Sequence, residues 1–202
     1  MTKSVVIFDL GRVLLEWDPA HLYSRLIPDP ARRAQFLTDV FPMSVHARYD
    51  DGEAFADLAA ERVAAFPAFE AEIRAWEPRF GEMFDGFVPG MEAVLADLFA
   101  MGVPLYALSN APAPQRQTIL DLYPLLERFE GLVLSGEEKT SKPGAAIYRR
   151  LLQRYGLRAD ACVFLDDRAE NIIGGEAVGI RGHVFKGADG SRAFLAEAGL
   201  LK

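Results

Sequence analysis

The sequence predicts an α/β fold, a doubly wound parallel sheet interrupted by a helical insert. Three observations carry this. Short apolar runs of strand length recur at 5–8, 103–108, 132–134 and 161–165, and 181–185 reads as a fifth strand. Past the insert that follows the first of these, they alternate with stretches of helical periodicity roughly ten to fifteen residues long, the pattern of strand–helix–strand units in a parallel sheet. Three of the runs end in polar residues: Asp9, Ser109-Asn110 and Asp166-Asp167. In an open parallel sheet the carboxyl ends of the strands are where ligands bind.

The first run, rich in β-branched and aromatic residues, reads as a strand buried on both faces. It stops at Asp9, and Gly11 follows two residues later. Leu14, Leu15 and Trp17 come next, bounded by Asp18-Pro19. From there to about Gly90 nearly everything reads as helix. Asp29-Pro30 is an N-cap followed by a proline at the first helical position, with Phe36, Leu37, Val40 and Phe41 on one face. Asp51-Gly52 opens a second helix carrying Phe55, Leu58, Ala59, Val63 and Phe66, and a third covers 69–76. The segment is too short for an independent domain and is expected to pack over the sheet.

Beyond it, 89–101 is an amphipathic helix closed by Gly102, and helices are expected at 111–122, 143–155, 169–178 and 192–200. Gly156 and Gly179 close two of these. Lys142 stands just before the helix that Pro143 is expected to begin.

Composition narrows the function. The chain has 202 residues, half hydrophobic and a quarter charged, and a formal charge of -7, which argues against nucleic acid or an anionic membrane surface as partner. A phosphorylated substrate stays open, because a local site can be positive or hold a metal ion. The single cysteine, Cys162, lies in an apolar run and is expected in the core; no intrachain disulfide is possible, as suits a reducing compartment. Lys3 precedes too short an apolar run for a signal peptide, and no run approaches the ~20 residues that span a bilayer. A cytoplasmic protein is expected, as a monomer or a homodimer.

Each polar residue has an ordinary structural explanation. Ser109 and Asn110 can cap a helix, Lys142 can be a solvated lysine, and Asp166-Asp167 can complement a helix dipole. None of these explains their convergence on one crevice. Together they support phosphoryl chemistry: Asp9 as a nucleophile toward phosphorus, and Asp9 with Asp167 as ligands of a hard divalent cation such as Mg²⁺. Ser109 and the N–H groups after it can donate to phosphoryl oxygens, and Lys142 can offset negative charge.

The stretches 8–14 (FDLGRVL), 108–110 (LSN), 141–143 (SKP) and 164–171 (FLDDRAEN) resemble, in order and spacing, the four motifs of the haloacid dehalogenase-like hydrolase superfamily. The resemblance spans the chain. It implies a Rossmann-like core domain of residues 1–15 and 88–202, with 16–87 as a helical cap that covers the site and sets substrate choice. It implies Asp9 as nucleophile and Mg²⁺ ligand, the Gly11 carbonyl and Asp167 as further ligands, and Asp166 acting through the ion's water. Ser109 and Asn110 would bind the phosphoryl group, and Lys142 would pair with it and with Asp9. Asn171 falls where many members carry another carboxylate, and it can order the metal site through a hydrogen bond.

One position departs from the pattern. Most phosphatases of the superfamily carry a second aspartate two residues after the nucleophile, which protonates the leaving oxygen. Here that residue is Gly11. General acid–base help is worth ~10²–10⁴-fold in rate. Glu16, Asp18 or a cap residue can replace it, the substrate can have a better leaving group, or the enzyme can be weak. The subgroup that opens Asp-Leu-Gly resembles sugar-phosphate phosphatases, so a small phosphorylated metabolite, a sugar phosphate esterified at its anomeric oxygen, is the expected substrate. Arg12 and Trp17 are expected near the mouth of the site. His46, Arg48, Tyr49 and Asp50 are expected in a solvated loop between helices, and His21 and His183 show no partner pattern. Two readings compete. A 2-haloacid dehalogenase also lacks the second aspartate but needs no metal, which leaves Asp166 and Asp167 without purpose. The other is a phosphate-binding or regulatory module of the same fold.

Overall fold

A computed structural model of the protein describes residues 4–201. Strand β1 (Val5–Phe8) leads through a tight turn to β2 (Leu15–Trp17). Five helices follow: α1 (Pro19–Leu26), α2 (Pro30–Gln35), α3 (Met43–Asp50), α4 (Phe55–Ala65) and α5 (Glu70–Ala75). Strand β3 (Phe84–Phe87) then returns antiparallel beside β2. The rest alternates: α6 (Met91–Ala100), β4 (Leu105–Ser109), α7 (Arg116–Leu122), β5 (Gly131–Leu134), the short α8 (Ser135–Glu138) and α9 (Ala145–Tyr155). It ends with β6 (Cys162–Asp166), α10 (Ala169–Glu176), β7 (Arg181–Val184) and α11 (Ala188–Glu197).

Five strands form one sheet in the order β5-β4-β1-β6-β7, every pair parallel. The winding reverses at β1: later strands are laid down first on one side of it and then on the other. The carboxyl end of β1 is therefore the switch point, where an α/β sheet opens a crevice. Period-two alternation gives the sheet two apolar faces. Val6, Phe8, Leu105, Ala107, Val163 and Leu165 join one core cluster, shared with α6, α11 and the insert. Val5, Ile7, Tyr106, Leu108, Cys162 and Phe164 join the other, under α9 and α10. The expected doubly wound, Rossmann-like sheet is the one observed. Cys162 is buried there; its thiol donates to the Arg158 carbonyl (3.1 Å), and burial pushes its pKa up to about 11.

The insert departs from its expected form in three places. First, it is not helical throughout: β2 and β3 pair as a ribbon at its two ends, so divisions at 15/16 and 87/88 fall in or beside that ribbon. Residues some seventy apart make this pairing, and local periodicity carries no sign of it. Second, the segment 43–50, expected as a solvated loop, is helix α3, with Val45, His46, Tyr49 and Asp50 buried. Those positions recur at helical spacing and face the core. Third, Asp51-Gly52 ends α3 instead of opening α4, with the Gly52 N–H bonded to the Tyr49 carbonyl (3.0 Å). The N-cap at Asp29 forms as predicted, accepting from the Ala31 and Arg32 N–H groups at 2.8 and 3.0 Å. Its helix passes into one π-helical turn, Phe36–Val40, that buries Phe36 and Val40.

Candidate active site

Asp9 directly follows β1, and its N–H extends the ladder to the Leu165 carbonyl (2.9 Å). Its Oδ1 accepts the Leu10 N–H (2.7 Å) and lies 2.9 Å from Lys142 Nζ. Among the described residues Oδ2 has no such partner, which leaves it to the cavity. Burial pushes the Asp9 carboxyl up to about 7; Lys142 opposes this, while Asp166 and Asp167 add to it.

Lys142 is almost wholly buried, and its three ammonium donors are all matched. Nζ donates to the Leu108 carbonyl (2.8 Å) and to Asp166 Oδ2 (2.7 Å), and pairs with Asp9. Burial alone would lower its pKa, but Asp9 and Asp166 outweigh burial and hold it above the usual lysine value. Its backbone is clamped by Asn110, which donates Nδ2 to the Lys142 carbonyl (3.0 Å) and accepts the Lys142 N–H on Oδ1 (2.9 Å). Pro143 does not begin the next helix as expected. It sits in a turn closed by the Gly144 N–H on the Ser141 carbonyl (2.9 Å), and α9 starts at Ala145. Helix α10 lies against this turn so closely that a Cβ on Gly174 would fall 2.4 Å from the Pro143 carbonyl oxygen, a spacing that only glycine permits.

Asp166, the last residue of β6, is fully buried. Its Oδ1 accepts the Arg168 N–H and Asn171 Nδ2, both at 2.9 Å. Asp167 is half-buried and lines the cavity; burial and Asp166 raise its carboxyl, while the Arg12 guanidinium and Lys142 lower it. Among the described residues Asn171 Oδ1 is buried without a hydrogen-bond partner. Arg12 itself is exposed, in the left-handed region at φ 62°, with its N–H on the Leu15 carbonyl (2.7 Å).

The donor set fits a magnesium ion. Asp9, Asp166 and Asp167 each offer a carboxylate oxygen, all within 4.8 Å of one another. These are hard oxygen ligands. Three carboxylates against one lysine leave negative charge in a buried place, which a divalent cation would offset. The unpartnered Asn171 Oδ1 adds a further acceptor at the same edge.

These residues open into a cavity of about 290 Å³ between sheet edge and insert. Asp9, Gly11, Arg12, Ser109, Asn110, Lys142, Asp167 and Asn171 all line it. Asp166 lies beneath, holding Lys142 and Asn171 in place. The structure thus brings Asp9, Gly11, Arg12, Ser109, Asn110, Lys142, Asp166, Asp167 and Asn171 together at one edge of the sheet. The Asn110 side chain also bonds the Lys142 backbone, through Nδ2 and Oδ1. From the insert come Met43, His46, Ala47, Asp50, Phe80 and Phe84. His46 and Asp50 went unrecognised as site residues, although 45, 46, 49 and 50 fall on one helical face. Trp17 stacks on His46, centroids 5.1 Å apart. Glu16 and Asp18 do not line the cavity; they border a separate depression with His21 and Val88.

Comparison with known proteins agrees with this architecture. A family model described as haloacid dehalogenase-like hydrolase matches residues 4–179. A sesquiterpene phosphatase of Aspergillus oryzae is 26% identical over 184 residues, 90% of this chain and 89% of that protein. A solved family enzyme from Bacteroides thetaiotaomicron superposes with a TM-score of 0.74 at 20% identity, covering 96% of this chain and 99% of that one. The same enzyme in complex with magnesium and inorganic phosphate gives 0.72 at 18% identity, over 92% and 96%. Among the described residues no helix is long and apolar enough to cross a membrane. With a family model matched over most of its length and a fold to agree, the chain belongs to the haloacid dehalogenase-like hydrolases.

Proposed function

We propose that the protein is a magnesium-dependent phosphatase of a small phosphorylated metabolite, working through an aspartyl-phosphate on Asp9. The observation that carries this is the Asp9 carboxylate at the sheet's switch point, one oxygen held by Lys142 and the Leu10 N–H, the other free. Asp9 Oδ2 attacks phosphorus as the bond from phosphorus to the ester oxygen breaks, and that oxygen leaves with its electron pair. Water then attacks phosphorus, and the Asp9 carboxylate departs as phosphate forms. Lys142 offsets charge on Asp9 and the phosphoryl group, and Ser109 donates to a phosphoryl oxygen. Asn110 and Asp166 act by fixing Lys142. Asp9, Asp167 and the Gly11 carbonyl would hold magnesium, with Asp166 and Asn171 beside it; bound there, the ion would supply positive charge that lets a carboxylate meet a phosphate dianion.

The cavity bears on the organic part of the substrate. Trp17, Met43, Phe80, Phe84 and Ile119 give it an apolar wall. That wall favours an ester whose organic group has an apolar face over the sugar phosphate expected from the Asp-Leu-Gly opening. The relative named for a sesquiterpene substrate supports the same preference. The segment between β1 and α6 then serves as the cap, excluding water from the acyl phosphate. The lone buried Cys162 supports a cytoplasmic setting.

The test is hydrolysis of an aryl phosphate with magnesium, with chelator, and in the Asp9→Asn variant. Turnover that needs the metal and disappears in the variant is expected. Halide release from a 2-haloacid in chelator, with no phosphate release, would establish the dehalogenase reading in its place. A panel of prenyl, aryl and sugar phosphates then ranks the organic groups.

A further inference from the structure

Position 11 carries no side chain that can donate a proton. Gly11 is not imposed by packing: a Cβ there would meet nothing nearer than Trp17 Cβ at 3.9 Å. The two acidic residues nearest in sequence are both misplaced. Asp18 caps α1, accepting the Ala20 N–H at 2.7 Å, and Glu16 borders the other depression. Asp51 lines the cavity but is exposed, in the turn after α3.

Asp50 differs from all three. It is the last residue of α3, lines the cavity that holds Asp9, and is only 8% exposed. Among the described residues its Oδ1 is buried without a hydrogen-bond partner. No cation faces it. His46 Nε2 lies 3.3 Å from Oδ1, but burial pushes His46 down to about 4, so at neutral pH the imidazole brings no positive charge to this contact. The indole N–H of Trp76 donates to His46 Nδ1 (3.3 Å), which leaves the imidazole proton on Nε2, near Asp50 Oδ1 but outside hydrogen-bond geometry. Burial first, then Asp51 and Asp9, raise the Asp50 carboxyl well above its usual value, and Lys142 opposes them.

Asp50 is also fixed to the core. Ser135, just after β5, donates its hydroxyl to the Asp50 carbonyl (2.6 Å) and accepts the Ala111 N–H (3.0 Å). Gly52 packs on Gly136, where a Cβ would lie 3.1 Å from the carbonyl oxygen. The acid's backbone is thus tied to the loop after Ser109, beside the phosphoryl site.

We propose that Asp50 is the general acid–base residue of this enzyme, delivered from the insert in place of the aspartate absent at position 11, and that His46 positions it. The assignment rests on the phosphatase reading above. In the first step Asp50 gives its proton to the ester oxygen as the bond to phosphorus breaks. In the second its carboxylate takes a proton from the water that attacks phosphorus, which restores the acid. With an acid present, the substrate need not have a good leaving group.

The test is the leaving-group dependence of single-turnover product release, measured with magnesium from activated aryl phosphates through simple alkyl phosphates. The wild type should show a shallow dependence. In Asp50→Asn the loss should grow with the basicity of the leaving oxygen, reaching ~10²–10⁴-fold for alkyl esters. Asp50→Glu should recover part of it. A loss equal across the series, no loss, or the same graded loss in Asp51→Asn would overturn the assignment. Should Asp50→Asn fail to fold, the wild type still decides: alkyl phosphates trailing aryl ones by that same factor would mean that no acid acts. A wild type that turns over no phosphate ester removes the phosphatase reading first, and this assignment with it.

Discussion

Asn110 grips the backbone of Lys142 on both sides, donating to its carbonyl and accepting from its N–H. A residue at the end of β4 thereby fixes one 32 positions away in sequence. The ammonium group that results stands between Asp9 and Asp166, at 2.9 and 2.7 Å. The site's charge balance turns on this one group.

Replacing Lys142 with methionine keeps the length and removes the charge. Two carboxylates then stay buried without their cation, a loss of about 3–5 kcal/mol by the usual cost of breaking a buried pair. Magnesium should offset part of it, so the melting temperature of the variant should rise more on adding magnesium than that of the wild type. Equal rises in a differential scanning experiment would mean that magnesium does not offset the charge left by Lys142.

His46 and Asp50 should leave opposite marks on stability. Folded His46 titrates at about 4, below its ordinary value of 6.5, so between those values the unfolded chain holds a proton that the folded one lacks. Its contribution therefore falls as pH drops through that window, by about 3 kcal/mol in all. Folded Asp50 keeps a proton that the unfolded chain sheds above about 3.8, so its contribution rises as pH drops. In the wild type the two oppose each other. Asp50→Asn should lose stability relative to wild type between pH 6.5 and 4.5, and His46→Gln should gain it, by urea unfolding at both values. Parallel behaviour of all three proteins would contradict neutral forms of the pair.

The predictions for these two residues concern a helix that was not evident beforehand. The sheet was legible because β1, β4 and β6 are buried on both faces and so read as continuous apolar runs, each ending where the site begins. Asp9, Ser109, Lys142 and Asp167 followed from that placement and from the motif spacing. Asp50 did not, because Pro42 and Asp51-Gly52 bracket α3 with turn residues and its polar members suggested solvent. What makes those side chains buried is the packing of Trp17 and Trp76 around His46, at centroid distances of 5.1 and 5.3 Å. The β2–β3 ribbon was hidden for the same reason, since each strand is defined by a distant partner.

Arg12, exposed at the cavity's edge and close enough to lower the Asp167 carboxyl, suits attraction of an anionic substrate. Arg12→Ala should raise KM severalfold and leave kcat nearly unchanged, the signature of lost uniform binding. A fall in kcat at constant KM would place Arg12 in the chemical step.

The most direct measurement is to stop a reaction with an aryl phosphate and magnesium in acid within one turnover. The peptide containing Asp9 is then weighed by mass spectrometry. A phosphoryl group on Asp9, released by hydroxylamine and absent in Asp9→Asn, is the predicted result. Product formed by an enzyme whose Asp9 is never modified at any quench time would contradict the account.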